Sequence, residues 1–147
     1  MPSRRFAQIV GGLFLFIGFV GFIPGAVSNP HPTAVPGLFA DGGYGLLFGL
    51  FPVNWIHNLI HLGVGIAGLS YASSVSNARA FARGLTWFYG ALAVMGVIPP
   101  LSMAFGLAPL HGWDVWLHGG TAALAAYYGY GKRAQADEIA EGYRRAA

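Results

Sequence analysis

Four ionisable side chains in this sequence have the types and the spacing of metal ligands. His57 and His61 stand four residues apart, and so do Asp114 and His118. Residues at this spacing lie on one face of a helix, so each pair projects together. Three imidazoles and one carboxylate form a tetrahedral ligand set that suits zinc first, and also copper or iron. We therefore predict that these four residues form one metal site.

Two asparagines and a further histidine lie close to the predicted ligands. Asn54 and Asn58 stand on either side of His57, and His111 lies just before Asp114 in the sequence. Side chains of this type commonly orient the imidazoles of a metal site through hydrogen bonds. We expect Asn54, Asn58 and His111 to surround the ligands without binding the ion themselves.

The stretch from His57 to His61 resembles the zinc-protease pattern His-Glu-x-x-His, with one important difference. Asn58 takes the place of the glutamate that serves as general base in those enzymes. If all four predicted ligands bind one ion, no coordination position stays open for water. This favours a structural or an electron-carrying site. An enzyme requires that Asp114 or one histidine stands back and admits water.

The same residues have two other interpretations. Buried polar groups need only hydrogen-bond partners, so the four side chains form a structural polar network if no ion binds. Alternatively, His61 and His118 are the axial ligands of a tetrapyrrole, because glycines follow both and leave room for a flat macrocycle. The outer half of the chain offers no Arg or Lys to pair with the propionates of haem b. A chlorophyll held by one histidine avoids that objection.

The composition indicates where such a site would lie. The 147 residues are 55% hydrophobic and 9% charged, with a mean hydropathy of +0.55. Soluble domains carry about a quarter charged residues, so a soluble globule is excluded. Cysteine is absent, which excludes disulfides, thiolate metal sites and iron–sulfur clusters. We predict an all-α membrane protein, a single domain over 1–147, whose spanning helices cover about 6–27, 52–72, 80–98 and 109–131.

The positions of the basic residues predict the orientation of the chain. All eight lie before the first predicted helix, between the second and third, or after the fourth. The positive-inside rule then places both termini, including the tail over 132–147, in the cytoplasm. Residues spread in this way meet lipid headgroups, and we expect no nucleic-acid partner. The predicted site falls in the outer half of the bilayer. Residues 27–44 form an outer-loop insertion, in which His31 is expected to be solvated.

An internal repeat relates the two halves of the chain. A shift of 57 residues superimposes two Phe-Gly-Leu-x-Pro motifs, at 48–52 and 105–109, and pairs His61 with His118. A shift of 75 residues pairs Phe6 with Phe81 in the first and third predicted helices. A duplicated two-helix unit implies a pseudo-twofold axis along the membrane normal. We predict a four-helix up-down bundle in which the second and fourth helices face each other.

Two longer motifs carry a family resemblance. They read Pro-x-Asn-x-x-His-Asn-x-x-His-Leu over 52–62 and Asp-x-x-Leu-His-x-Gly over 114–120. In these motifs the chain resembles a family of small four-helix bacterial membrane proteins, domain of unknown function number 4383. The resemblance covers nearly the whole chain, apart from the insertion and the tail. The positions that match the family pattern are Asn54, His57, Asn58, His61, Asp114 and His118, and Val115 stands where the family often has asparagine.

The resemblance implies a fold and a bacterial cytoplasmic (inner) membrane location, but no activity. The site therefore carries the functional prediction, which is an integral membrane protein with a buried metal ion in a structural or electron-carrying role. The alternative is an accessory subunit of a larger respiratory or photosynthetic membrane complex. In that case His61 and His118 bind haem or chlorophyll, or only form hydrogen bonds. The expected partners are the lipid bilayer and either a second copy of the chain or that larger complex.

Overall fold

The computed structural model describes residues 2–29 and 35–146, and this part of the chain is mostly helical. His31 lies outside the described residues. Short 3₁₀ turns occupy Pro99–Leu101 and Ala104–Gly106. The α-helices are α1 (Pro2–Val20), α2 (Trp55–Tyr71), α3 (Val75–Val97), α4 (Trp113–Tyr130) and α5 (Lys132–Ala146).

The first helix starts and ends earlier than the predicted span of 6–27. α1 begins at Pro2 and ends at Val20, and the chain then turns through Gly21 and Pro24. Glycine and proline both disfavour the continuation of a helix, glycine through backbone entropy and proline through its missing N–H. The apolar run therefore extends beyond the helix, and its last residues are not helical.

A small antiparallel sheet lies where the sequence analysis predicted only helix and irregular loop. Its strands, in the order β1-β2-β3, are β1 (Val27–Ser28), β2 (Gly45–Leu47) and β3 (Phe51–Val53). Leu47 and Val53 are buried and pack with Val20 at the end of α1. The chain is thus mostly helical, and the all-α description overlooked strands that pairing between distant segments stabilises. α2 consequently begins at Trp55 instead of residue 52.

The starts of α3 and α4 also differ from the predicted 80 and 109, for local reasons. Ser74 is the N-cap of α3, because its hydroxyl accepts a hydrogen bond from the Asn77 N–H at 3.1 Å. Such a cap stabilises a helix start before the apolar run begins. α4 begins only after Gly112, whose φ of 69° no helix accommodates.

The four longer helices form two antiparallel pairs, α1 with α2 and α3 with α4. The first pair is so close that a Cβ added to Gly11 would lie 2.8 Å from the backbone nitrogen of Leu69. Gly18 lies equally close to the backbone of Asn58, so the two helices stay in contact along their length. Glycine at these positions is required by the close approach of the helices.

Aromatic side chains join one helix pair to the other. Phe6 of α1 stacks on Tyr128 of α4 with ring centroids 4.6 Å apart. Deeper in the core, Phe14 meets Tyr89 of α3 at 5.2 Å. Phe14 and Tyr89 are both buried in the main apolar cluster of the described residues.

Arginines close the helix ends at which α1 and α3 begin. Arg4 Nε donates to the carbonyl of Ala72 at 2.8 Å, and Arg79 Nε donates to the carbonyl of Gly129 at 3.3 Å. Each arginine thus satisfies a backbone carbonyl at the end of the neighbouring helix, where intrahelical partners are missing.

The tail of the chain folds back onto the start of α3. Arg79 forms an ion pair with Glu138 of α5. The carboxylate of Glu141 accepts a hydrogen bond from the Val75 N–H at 2.7 Å. A carboxylate is favoured at a helix N-terminus, so α5 is attached at the charged end of the molecule.

The described helices are apolar on the outside and polar within. Large apolar side chains point away from the protein on all four longer helices, for example Ile9, Phe16, Leu59, Ile66, Trp87, Val94, Trp116 and Leu124. Asn54, Asn58 and Asp114 are buried. Two helices, α1 and α3, are long and apolar enough to cross a membrane.

Candidate metal centre

The start of α2 positions two of the predicted ligands. Asn54 is the N-cap, and its side-chain oxygen accepts a hydrogen bond from the His57 N–H at 2.8 Å. His57 and His61 follow on one face of the helix, with ring centroids 4.5 Å apart. Both imidazoles are buried.

The start of α4 brings the other two predicted ligands to the same place. Asp114 and His118 lie one helical turn apart and are each about 1% exposed. Asp114 Oδ2 lies 3.5 Å from His118 Nδ1 and 3.9 Å from His57 Nε2. The ring centroids of His57 and His118 are 5.9 Å apart. The four side chains therefore come from two helices to one buried position.

Three of these side chains form a group with the dimensions of a metal site. His57, His61 and His118 each offer a ring nitrogen, and these nitrogens lie within 4.8 Å of one another. Nitrogens around a tetrahedral ion are separated by about 3.4 Å, given metal–nitrogen distances of about 2.1 Å. Shifts of about 1 Å close that gap. Asp114 lies beside this group and is not a member of it.

The polar atoms of the cluster lack hydrogen-bond partners. Among the described residues, at least one ring nitrogen of each histidine is buried and unpaired, and so is Asp114 Oδ2. Buried polar atoms in native proteins nearly always have a partner, because an unpaired one costs about 1–3 kcal/mol. A cation bound between the imidazoles would pair these atoms together, so the donor set fits a metal ion.

The three residues predicted to surround the ligands lie elsewhere in the local network. Both amide hydrogens of Asn54 bond to backbone, to the carbonyls of Ala40 and Leu107 at 2.7 Å each. The Asn58 amide donates to the Gly21 carbonyl at 2.7 Å. His111 is half-buried in the turn before α4, and this burial lowers the pKa of its imidazole. The two asparagines thus hold the backbone around the cluster.

Two aromatic residues that the sequence analysis passed over pack against the imidazoles. Phe14 contacts the His61 ring at 5.2 Å, and Tyr89 contacts the His118 ring at 5.1 Å. The Tyr89 hydroxyl is buried without a partner. The repeat contained the signal for this pair, since Phe14 and Tyr89 are separated by the 75-residue shift.

A cavity of about 100 Å³ adjoins the three histidines and Tyr89. Drug-sized ligands occupy pockets of about 300–1,000 Å³, and a tetrapyrrole is at least that large. His61 and His118 are 4% and 1% exposed, so neither presents a face to a pigment outside the helices. The described residues therefore do not fit the haem or chlorophyll interpretation.

Fold and site together define a class, namely a mostly helical protein with two helices of membrane-spanning length and a buried cluster of three histidines. The chain belongs to the family described as Domain of unknown function (DUF4383), whose profile matches residues 4–131. The match confirms the family resemblance found in the sequence. No curated protein and no solved structure matches the chain.

Proposed function

We propose that this chain is an integral membrane protein of the bacterial cytoplasmic membrane whose core holds a transition-metal ion. His57, His61 and His118 are the ligands, and Asp114 is the fourth donor. The observation that carries the proposal is the meeting of three buried imidazoles with unpaired nitrogens at one position. Zinc suits this set best, and copper or iron would give the site an electron-carrying role.

The distribution of polarity supports a location in the bilayer. Ile9 is 69% exposed and Trp116 is 75% exposed, whereas Asn54, Asn58 and Asp114 are at most 1% exposed. A soluble protein would place those side chains the other way round. Polar groups inside a membrane protein face its interior, where they find each other or an ion.

Equivalent contacts in the two halves support a duplicated helical pair and a four-helix bundle. Arg4 and Arg79 are 75 residues apart, and their acceptors, the carbonyls of Ala72 and Gly129, are 57 residues apart. These are the two shifts of the sequence repeat. The same hydrogen bond therefore occurs once in each half.

Ring contacts follow the same rule, both within and between the helix pairs. Adding 75 to the residue on α1 and 57 to the residue on α2 converts one contact into another. The related contacts are Phe14–His61 at 5.2 Å with Tyr89–His118 at 5.1 Å, and Phe6–Tyr128 at 4.6 Å with Phe81–Tyr71 at 6.4 Å. The second relation exchanges the halves, as a pseudo-twofold axis requires.

Metal analysis of the protein tests the site. The full chain is purified in mild detergent without a histidine tag, loaded with Co²⁺, and examined by elemental analysis and absorption spectroscopy. We expect about one ion per chain and the visible bands of a nitrogen-ligated cobalt site. Replacing both His61 and His118 with Ala should abolish binding, whereas His31→Ala, which changes a histidine outside the donor set, should not. Stoichiometric metal in the double variant would contradict the proposal.

The absence of cysteine makes the membrane orientation testable with single substitutions. Ser28→Cys lies at the end with the sheet, and Gly142→Cys lies on α5 at the charged end; both positions are exposed. We expect a membrane-impermeant maleimide to label Ser28→Cys in intact spheroplasts. Gly142→Cys should react only after permeabilisation. The reverse pattern would contradict cytoplasmic termini.

The accessory-subunit interpretation makes a separate prediction about size. A chain that belongs to a larger membrane complex should co-purify with it from native membranes in mild detergent. A freely existing chain should elute as a small oligomer. The metal site is compatible with both, so the size measurement decides between them.

A further inference from the structure

We propose that the cavity beside the histidines binds a small uncharged diatomic molecule, of the class of O₂, NO and CO, as an additional ligand of the metal. The inference rests on the proposed metal site. It assigns a role to a space that a purely structural site would not need. Three imidazoles and one carboxylate leave room for a fifth ligand, because such metal sites expand to five-coordination.

The position of the cavity places it on one side of the site. His57, His61 and His118 all line it, and Asp114 does not. An ion held between the imidazoles and Asp114 therefore has the carboxylate on one side and the cavity on the other. A molecule in the cavity would approach the ion directly, without displacing any of the four donors.

Size and polarity select the class of ligand. One water molecule occupies about 30 Å³ of liquid, so a cavity of about 100 Å³ holds only a few heavy atoms. Apart from the histidines and Tyr89, the lining is apolar, from Ile56, Ile60, Leu92, Ala104, Leu107, Ala108 and Leu110. Such walls offer nothing to replace the hydration of a charged molecule. A neutral diatomic molecule loses little on leaving water.

The wall of the cavity is thin on the side of the loop before α4. Leu107 lines the cavity and is also 52% exposed at the surface of the protein. One side chain thus separates the cavity from the surroundings, which are lipid in the proposed arrangement. Small neutral molecules dissolve in lipid, so this side provides access.

Tyr89 provides a polar group for the bound molecule. It lines the cavity, and its hydroxyl is buried without a partner in the described structure. An unpaired buried hydroxyl is unfavourable, and a ligand atom that accepts its hydrogen would remove that cost. The tyrosine would then act by hydrogen bonding to a ligand that the metal holds.

Nitric oxide is the probe for the test. The full-length protein is loaded with Fe²⁺ without oxygen, its metal content is measured, and NO is added while electron paramagnetic resonance is recorded. Ala108→Leu fills the cavity with a larger side chain, and Ala123→Leu makes the same change at an exposed position of α4. We expect wild type and Ala123→Leu to bind NO equally. Ala108→Leu should keep its iron and bind NO about tenfold more weakly or not at all.

The outcomes separate this inference from the proposed site. Loss of iron from the wild-type protein would refute the metal site itself. Iron-loaded wild type that fails to bind NO would overturn the diatomic ligand, and so would unchanged NO affinity in iron-loaded Ala108→Leu. Tyr89→Phe provides a second variant with minimal effect on packing. It should retain iron and lower NO affinity about fivefold, the value of one neutral hydrogen bond.

Discussion

Removing the Asn54 side chain should destabilise the protein more than the loss of a helix cap alone. Asn54 is fully buried, and its amide joins three segments of the chain. Its oxygen caps α2 at His57, and its two hydrogens bond to carbonyls at Ala40, in the insertion, and at Leu107, before α4. Asn54→Ala removes all three hydrogen bonds and leaves their backbone partners buried.

The expected loss follows from these contacts. An N-cap contributes about 1 kcal/mol, and each of the two other hydrogen bonds contributes about 1 kcal/mol. Asn54→Ala should therefore lower the free energy of unfolding by about 3 kcal/mol. Ser74→Ala is the matched control, because Ser74 caps α3 through one hydrogen bond. It should cost about 1 kcal/mol.

Unfolding in mixed micelles measures both values. Circular dichroism is followed as the fraction of sodium dodecyl sulfate is increased, and the two variants are compared with wild type under identical conditions. Equal losses for Asn54→Ala and Ser74→Ala would refute the reasoning, because they would show that the bonds to Ala40 and Leu107 contribute nothing. Asn54→Asp should not restore stability, since a carboxylate keeps the cap but cannot donate to either carbonyl.

Two further substitutions test the packing. Gly21→Ala should cost about 1–3 kcal/mol in the same assay, because its Cβ would collide with the Asn58 amide; Gly12→Ala, which meets no neighbour, should cost nothing. Arg79→Ala should release α5, because it removes the ion pair with Glu138. Chymotrypsin should then cleave at the exposed Tyr143 faster than in Arg5→Ala, and equal rates would argue against the attachment.

The metal ligands were the part of the site that the sequence predicted best. A spacing of four residues on a helix is a local property, so His57 with His61 and Asp114 with His118 required no knowledge of the fold. The repeat then supplied the long-range relation between the two pairs. The structure brings all four residues together, as that relation predicts.

Other features depend on contacts that the local sequence does not reveal. The strand Phe51–Val53 was taken as the start of a helix because it is apolar, whereas its conformation comes from pairing with Gly45–Leu47. Asn54 and Asn58 were assigned to the imidazoles because of their types and positions. Their acceptors are carbonyls far away in the sequence, whose positions only the folded chain determines.

The departures from symmetry at the site follow from the charge of the ion. The 57-residue shift places His57 on Asp114, so a strict duplication would give either four imidazoles or two carboxylates with two imidazoles. Four neutral imidazoles would leave the whole charge of a divalent cation uncompensated in a medium of low dielectric constant. Two carboxylates would neutralise it, but each desolvated carboxylate adds its own cost of burial. One carboxylate with three imidazoles leaves a single net charge and one buried anion in direct contact with its partners. Asp114 is therefore the position at which the two halves of the duplicated helical pair should resist exchange, and Asp114→His should bind a divalent ion more weakly than wild type although it restores the symmetry.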